Sequence, residues 1–168
     1  MRAFIGISLE ASAKGTVIKL QEGLAKSGLK GNFTAKSNIH LTLEFLGEVN
    51  PIDLGKIKEI FDNLDFHSFV IEIKKLTALK DMMILEIEKS NDLMDLQSSL
   101  RKKLKENGLR IDDRPYYPHI TLIREASGKL EKNLSVKSRV DSVILFESKR
   151  ELGKLVYEKV YEKSFIEE

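Results

Sequence analysis

The sequence predicts an α+β fold with mainly antiparallel sheets, and three observations carry that expectation. Strand-like and helix-like segments follow one another as β-α-β-α-β-β-α-β-β-β, mixing without strict alternation. At 168 residues with 42% hydrophobic content, the chain is one domain able to bury a packed core, at most divided into two small lobes. A four-residue pattern, His-x-Thr-Leu, occurs twice, each time after a helix-like stretch and a loop. That weak repeat suggests two similar half-structures.

Residues 2–9 read as a strand. Residues 11–27 follow as a helix, with Val17, Leu20 and Leu24 on one face and Gly28 as its stop. The first motif lies in an apolar strand, 39–46, ending at Gly47. Pro51 opens a helix to about residue 64, whose apolar side carries Leu54, Ile57, Ile60 and Phe61. Strand 69–75 alternates Phe69, Ile71 and Ile73 with Val70, Glu72 and Lys74. Strand 82–88 sets Met83, Leu85 and Ile87 against Glu86 and Glu88. Residues 91–107 form the clearest helix, with a stripe of Leu93, Leu96, Leu100 and Leu104 and a stop at Gly108. A polar loop, Asp112-Asp113-Arg114-Pro115, leads into the second motif strand, 119–123. Two last strands, 136–146 and 154–161, join through a turn near Gly153.

The motif reads His40-Leu41-Thr42-Leu43 and His119-Ile120-Thr121-Leu122. With three histidines and five threonines, two of three histidines would have a Thr two places on in about 0.3% of random arrangements. Residues i and i+2 of a strand share a face. So His40 stands beside Thr42, backed by Leu41, Leu43 and Phe45, and His119 beside Thr121, backed by Ile120 and Leu122. Imidazole titrates near neutral pH, and a hydroxyl can donate to an anionic oxygen. Two such strands face to face supply one base, one acid and two donors around one anion. That is a toolkit for splitting a phosphodiester without a metal. A single histidine in an apolar strand is more often structural; the recurrence makes both candidates. His67 has no Thr two places on and reads as structural or surface.

The stretch Ile39-His40-Leu41-Thr42-Leu43-Glu44-Phe45-Leu46-Gly47-Glu48-Val49 resembles the first signature motif of the 2H phosphoesterase superfamily. Pro118-His119-Ile120-Thr121-Leu122-Ile123-Arg124 resembles the second. The similarity is closer to the RNA 2′,3′-cyclic phosphodiesterase branch, also called the 2′-5′ RNA ligase or LigT-like family, whose first strand resembles Met1-Arg2-Ala3-Phe4-Ile5-Gly6-Ile7. The resemblance implies a bilobal α+β fold over residues 1–168. Two interleaved, pseudo-symmetric lobes would carry helices on their outer faces and a central cleft lined by both motifs. It also implies hydrolysis of a terminal 2′,3′-cyclic phosphate to a 2′-phosphate, with His40 as proton donor, His119 as proton acceptor, and Thr42 and Thr121 on the non-bridging oxygens. The same site could join RNA ends through a 2′-5′ linkage. RNA ends, tRNA fragments among them, are the expected partners, with no cofactor and no metal. Relatives often carry a basic residue where this chain has Glu44. Strict alternation puts Glu44 on the face of His40 and Thr42, where a carboxylate would repel a phosphate.

Arg124 closes the second motif, and a guanidinium suits bidentate phosphate binding. The family pattern favours an Arg here, although strict alternation from His119 puts it on the far face. Tyr116 and Tyr117 are candidates to stack on a base, Tyr117 being the expected substrate contact; Phe4 and Phe33 are weaker ones, and packing is the commoner role for each. Arg101-Lys102-Lys103 reads as a solvated helix face. The absence of cysteine excludes disulfides and thiolate metal sites, and two motif histidines fall short of the three ligands a catalytic zinc wants. There is no glycine-rich phosphate loop. A net charge of only +2 makes any RNA contact local. The N-terminal apolar run is too short for a signal sequence or a membrane span. A cytoplasmic monomer with no membrane contact is expected. The alternative reading is a non-catalytic module that holds an RNA end or a nucleotide; the intact histidine pair favours the enzyme, since a binder needs no proton-transfer pair.

Overall fold

The computed structural model describes residues 1–167, and among them are nine strands and three helices. They run β1 (Arg2–Ile7), α1 (Ala11–Lys26), β2 (Asn32–Phe33), β3 (Leu41–Glu48), α2 (Pro51–Asp62), β4 (Phe69–Leu79), β5 (Met82–Ile87), α3 (Asn91–Glu106), β6 (His119–Arg124), β7 (Lys132–Val140), β8 (Ser142–Glu151) and β9 (Lys154–Ser164). A 3-10 turn, Lys36–Asn38, precedes β3. The strands form two antiparallel sheets, ordered β3-β1-β8-β9 and β2-β6-β5-β4-β7. The expected α+β architecture is what the chain adopts, with one motif strand in each sheet.

The helices start where capping chemistry lets them. Asn50 Oδ1 accepts from the Asp53 amide at 2.8 Å with Pro51 in the first turn, and Ser90 Oγ accepts from the Leu93 amide at 3.3 Å. The leucine stripe of α3 is fully buried. The main core joins residues of both sheets and includes Ile5, Leu41, Phe61, Leu85, Ile120 and Leu122, none measurably exposed. Each such side chain stabilises the fold by roughly 1.5–3 kcal/mol. The motif strands are therefore backed by rigid packing. A second, small cluster of Phe4, Ile144 and Phe146, with Tyr157 against it, lies around His40.

The expected strand 136–146 is two strands in different sheets: β7 ends at Val140, and β8 begins at Ser142. Asp141 is the crossing point. No Gly or Pro marks it; the Phe165 amide, distant in the chain, donates to the Asp141 carbonyl at 2.7 Å, and Arg139 Nε, two residues back, donates to Asp141 Oδ1 at 2.6 Å. β2 is two residues long, too short to carry a period in the sequence. His67 is exposed and forms an isolated bridge with Ile166. Among the described residues no helix is long and apolar enough to cross a membrane.

Candidate active site

Two half-sites are built on one plan. His40 immediately precedes β3, and its Nδ1 lies 2.7 Å from the carbonyl of Asn38; His119 opens β6, with Nδ1 2.8 Å from the carbonyl of Tyr117. In each, the partner is the residue two places back. A carbonyl only accepts, so Nδ1 carries the proton of the neutral ring and Nε2 is left with the lone pair. His40 Nε2 is 2.7 Å from Thr42 Oγ1, the pairing that strand periodicity predicts. Asn38 is itself buried and tied to β9: its Nδ2 donates to the Leu155 carbonyl at 2.9 Å, and its Oδ1 accepts from the Tyr157 amide at 3.3 Å. Gly6, opposite Thr42, leaves room for the imidazole. A Cβ there would stand 2.9 Å from the Leu41 carbonyl oxygen and 3.4 Å from His40 Cδ2.

Past the threonine, both strands bulge at the same place. Thr42 faces Gly6 and Glu44 faces Ile5, so Leu43 is extra; Thr121 faces Ile84 and Ile123 faces Met83, so Leu122 is extra. A bulge inverts the alternation beyond it. From the histidine through the fifth residue after it, both copies run half-buried, buried, half-buried, buried, buried, exposed. Three expectations from strict alternation are corrected. Glu44 turns into the core. Phe45 turns outward beside Phe4, 69% exposed. Arg124 turns to the face of His119 and Thr121.

The freed carbonyls find partners. Tyr116 Oη donates to the Thr42 carbonyl at 2.7 Å, and Thr34 Oγ1 donates to the Thr121 carbonyl at 2.8 Å. The Leu122 carbonyl accepts from the Thr34 amide at 2.9 Å and from Gln21 Nε2 at 3.0 Å. Tyr116 is thus a brace of the first motif rather than a base platform. Phe33 pairs with Ile123 and packs against the core. Gln21 had a sequence signal, a polar residue between Val17 and Leu24 on the buried stripe of α1; Thr34 and Asn38 had none.

Glu44 is 3% exposed and accepts from Gln97 Nε2 at 2.7 Å and Arg101 Nε at 2.6 Å. Arg101 Nη1 also donates to the Arg114 carbonyl at 2.7 Å. Arg101 is therefore a packed counter-ion, not part of a solvated charge run, while Lys102 next to it is exposed. Glu86, the register partner of His119, is the carboxylate paired with that histidine across the strands.

Residues 7–83 and 85–154 match the family model described as LigT like phosphoesterase. The chain belongs to the LigT-like phosphoesterase family. It is 34% identical over 134 residues to the RNA 2′,3′-cyclic phosphodiesterase of Thermotoga maritima, covering 74% of this chain and 70% of that one. It is 30% identical over 129 residues to the enzyme of the same name from Methanocaldococcus jannaschii, covering 74% and 71%. The crystal structure of apo E. coli LigT superposes with a TM-score of 0.85 at 23% identity, over 98% of this chain and 97% of that one.

In this LigT-like site the two imidazoles have unlike surroundings. His40 is held below its ordinary pKa, first by burial among Phe4 (4.7 Å between ring centres), Tyr157 (5.1 Å, edge-on) and Phe146 (6.0 Å). The Asn38 carbonyl opposes that shift, and the charges of Arg124 and His119 add to it. The motif strands β3 and β6 touch, so the two half-sites lie near each other. Arg124 is exposed, with Nη1 3.4 Å from Met82 Sδ. The Tyr117 ring lies 5.3 Å from that of His119, and its hydroxyl donates to Glu86 at 3.4 Å. Burial and then Glu86 raise its pKa, so the phenol keeps its proton. Tyr117 holds His119 by its carbonyl, a second role the sequence did not disclose. Among the described residues no three His, Asp or Glu side chains converge as a metal site requires.

Proposed function

We propose that the protein is an RNA 2′,3′-cyclic phosphodiesterase that opens a terminal cyclic phosphate to a 2′-phosphate without a metal. The observation that supports this best is the duplicated half-site: two imidazoles, each with Nδ1 tied to the carbonyl two residues back and each followed two places on by a threonine, which in the first half lies 2.7 Å from Nε2, on strands bulged at the same position. His119 Nε2 takes a proton from water as its oxygen bonds to phosphorus. The P–O3′ bond breaks, and His40 Nε2–H protonates the departing O3′. Thr42 and Thr121 hold the non-bridging oxygens, and the Arg124 guanidinium balances the charge that develops on them. Tyr117, whose ring lies beside His119, offers a face on which a base can stack. The assignment of acid and base follows the family resemblance. Burial lowers the His40 pKa and favours its neutral form in the free protein; a bound phosphate opposes that shift, offsets the charge of Arg124 and favours the protonated acid. With the 5′-hydroxyl of another RNA end in place of water, the same two proton transfers would form a 2′-5′ linkage.

The test is incubation with a short RNA ending in a 2′,3′-cyclic phosphate, with EDTA present. A 2′-phosphate product is expected, and His40→Ala or His119→Ala should each lower kcat by about 10²–10⁴-fold. Unchanged turnover in both variants, or a requirement for added metal, would overturn the proposal.

A further inference from the structure

Beside His40 lies a pocket of about 300 Å³ that the two motifs do not account for. It is bounded by the residue after β1, the first turn of α1, the Lys36–Asn38 turn and strands β8 and β9. Its wall includes Ser8, Lys14, Ser37, His40, Tyr157 and Lys159, and no lining residue is acidic. Neither lysine is committed elsewhere. Lys14 is half-buried and has no ion pair among the described residues, and Lys159 has Glu162 at 3.7 Å, with both side chains well exposed. Such a pair contributes little and is readily exchanged for a better anion. Two ammonium groups, two serine hydroxyls and a phenol around one cavity, without a carboxylate, make an anion site. Because His40 is part of its wall, that anion would lie next to the reacting phosphate.

We propose that this pocket binds the phosphate on the 5′ side of the terminal nucleotide, the linkage that joins the cyclic-phosphate residue to the rest of the RNA. The inference rests on the phosphodiesterase reading above and adds to it how an RNA end is told from a free cyclic nucleotide. A nucleotide's 5′-phosphate is one ribose away from its 2′,3′-cyclic phosphate, and the pocket that shares His40 with the motif site offers that neighbouring phosphate Lys14 and Lys159. Tyr157, shared by the pocket and the aromatic cluster around His40, borders the sugar between them. The cationic groups at this site are few and local, which fits a chain of only +2 net charge.

Three substrates test it: adenosine 2′,3′-cyclic phosphate, the same compound carrying a 5′-phosphate, and the dinucleotide ApA ending in a 2′,3′-cyclic phosphate. The 5′-phosphate alone should raise kcat/KM about tenfold, through KM, the effect of one charge-assisted hydrogen bond. The dinucleotide should gain at least as much. In Lys14→Gln/Lys159→Gln the ratio between phosphorylated and plain substrate should fall below about twofold, whereas Lys102→Gln, on an exposed helix face, should keep it. A gain that appears only with the dinucleotide would assign the preference to the second base and overturn the proposal. So would a ratio that survives in the double variant. Failure of all three substrates to react would instead bring down the phosphodiesterase reading itself.

Discussion

Replacing Glu44 by Ala removes the acceptor on which Gln97 Nε2 (2.7 Å) and Arg101 Nε (2.6 Å) converge. A hydrogen bond to a charged group contributes about 1.5–3 kcal/mol. Gln97 is 3% exposed, so its share, about 2 kcal/mol, counts nearly in full. The Arg101 side chain is 20% exposed and keeps the Arg114 carbonyl, so its share shrinks to about 1 kcal/mol. The loss is then about 3 kcal/mol, at the low end for breaking a buried ion pair. For a chain of this size that lowers Tm by about 6–12 °C. With an m-value of about 2 kcal/mol/M, the urea midpoint falls by about 1.5 M at constant m. A double-mutant cycle with Arg101→Met should return a coupling of about 1 kcal/mol or more. Affinity for a nucleoside 2′-phosphate, measured well below the unfolding range, should change by less than about twofold, because the carboxylate points away from the cleft. A midpoint shift below about 0.3 M would refute the buried pair. A large gain in affinity would mean that Glu44 faces the phosphate, and the inverted alternation would be wrong.

Phe45→Ala makes the complementary case. At 69% exposure its loss should leave Tm nearly unchanged, while a base that stacks on it loses about 1–3 kcal/mol, raising KM for an RNA end by roughly 5–150-fold. Destabilisation by about 3–5 kcal/mol would instead be the mark of a core phenylalanine. For His40, burial and then the charges of Arg124 and His119 hold the pKa below 6.5, so the protonated form that the general acid requires is lost as pH rises through a midpoint below that value. The kcat/KM profile should carry this limb, and NMR titration of the ring protons should give the same midpoint. Arg124→Met removes one positive charge and should move the midpoint up, though not past the contribution of burial. A midpoint that stays or falls would mean that Arg124 does not reach across the cleft.

Period-two reasoning reached as far as it was physically valid. It holds from His40 to Thr42 and from His119 to Thr121, where the strands are regular, and so the imidazole–hydroxyl pairs were legible. It fails at Leu43 and Leu122, which look like any core leucine. What makes each of them the extra residue is the register of a neighbouring strand, stabilised by donors 74 and 87 residues away in the chain, Tyr116 and Thr34. The crossing at Asp141 was hidden for the same reason: its carbonyl is held by the Phe165 amide, far along the chain. The helices were legible within a residue or two because their caps and stripes are local.

Some of what strict alternation missed was nonetheless written in the repeat. Aligning the two copies sets Glu44 against Ile123 and Phe45 against Arg124. Ile123 follows Leu122, and two adjacent apolar residues before an arginine already break the alternation in the second copy. If the halves are alike, position 44 must point inward as position 123 does, and a carboxylate pointing inward needs a cation. α3 places Gln97 and Arg101 one helical turn apart, next to its buried leucines, where they can supply both a donor and a charge. By the same alignment the fifth residue after each histidine is exposed, aromatic in one half and guanidinium in the other. The site is therefore symmetric where protons move, in the two imidazoles and their hydroxyls, and asymmetric one step further out. There Phe45 and Arg124 differ, an aromatic ring in one half and a guanidinium in the other, and if the protein acts on RNA ends this difference, rather than the shared motif, is what would distinguish the halves.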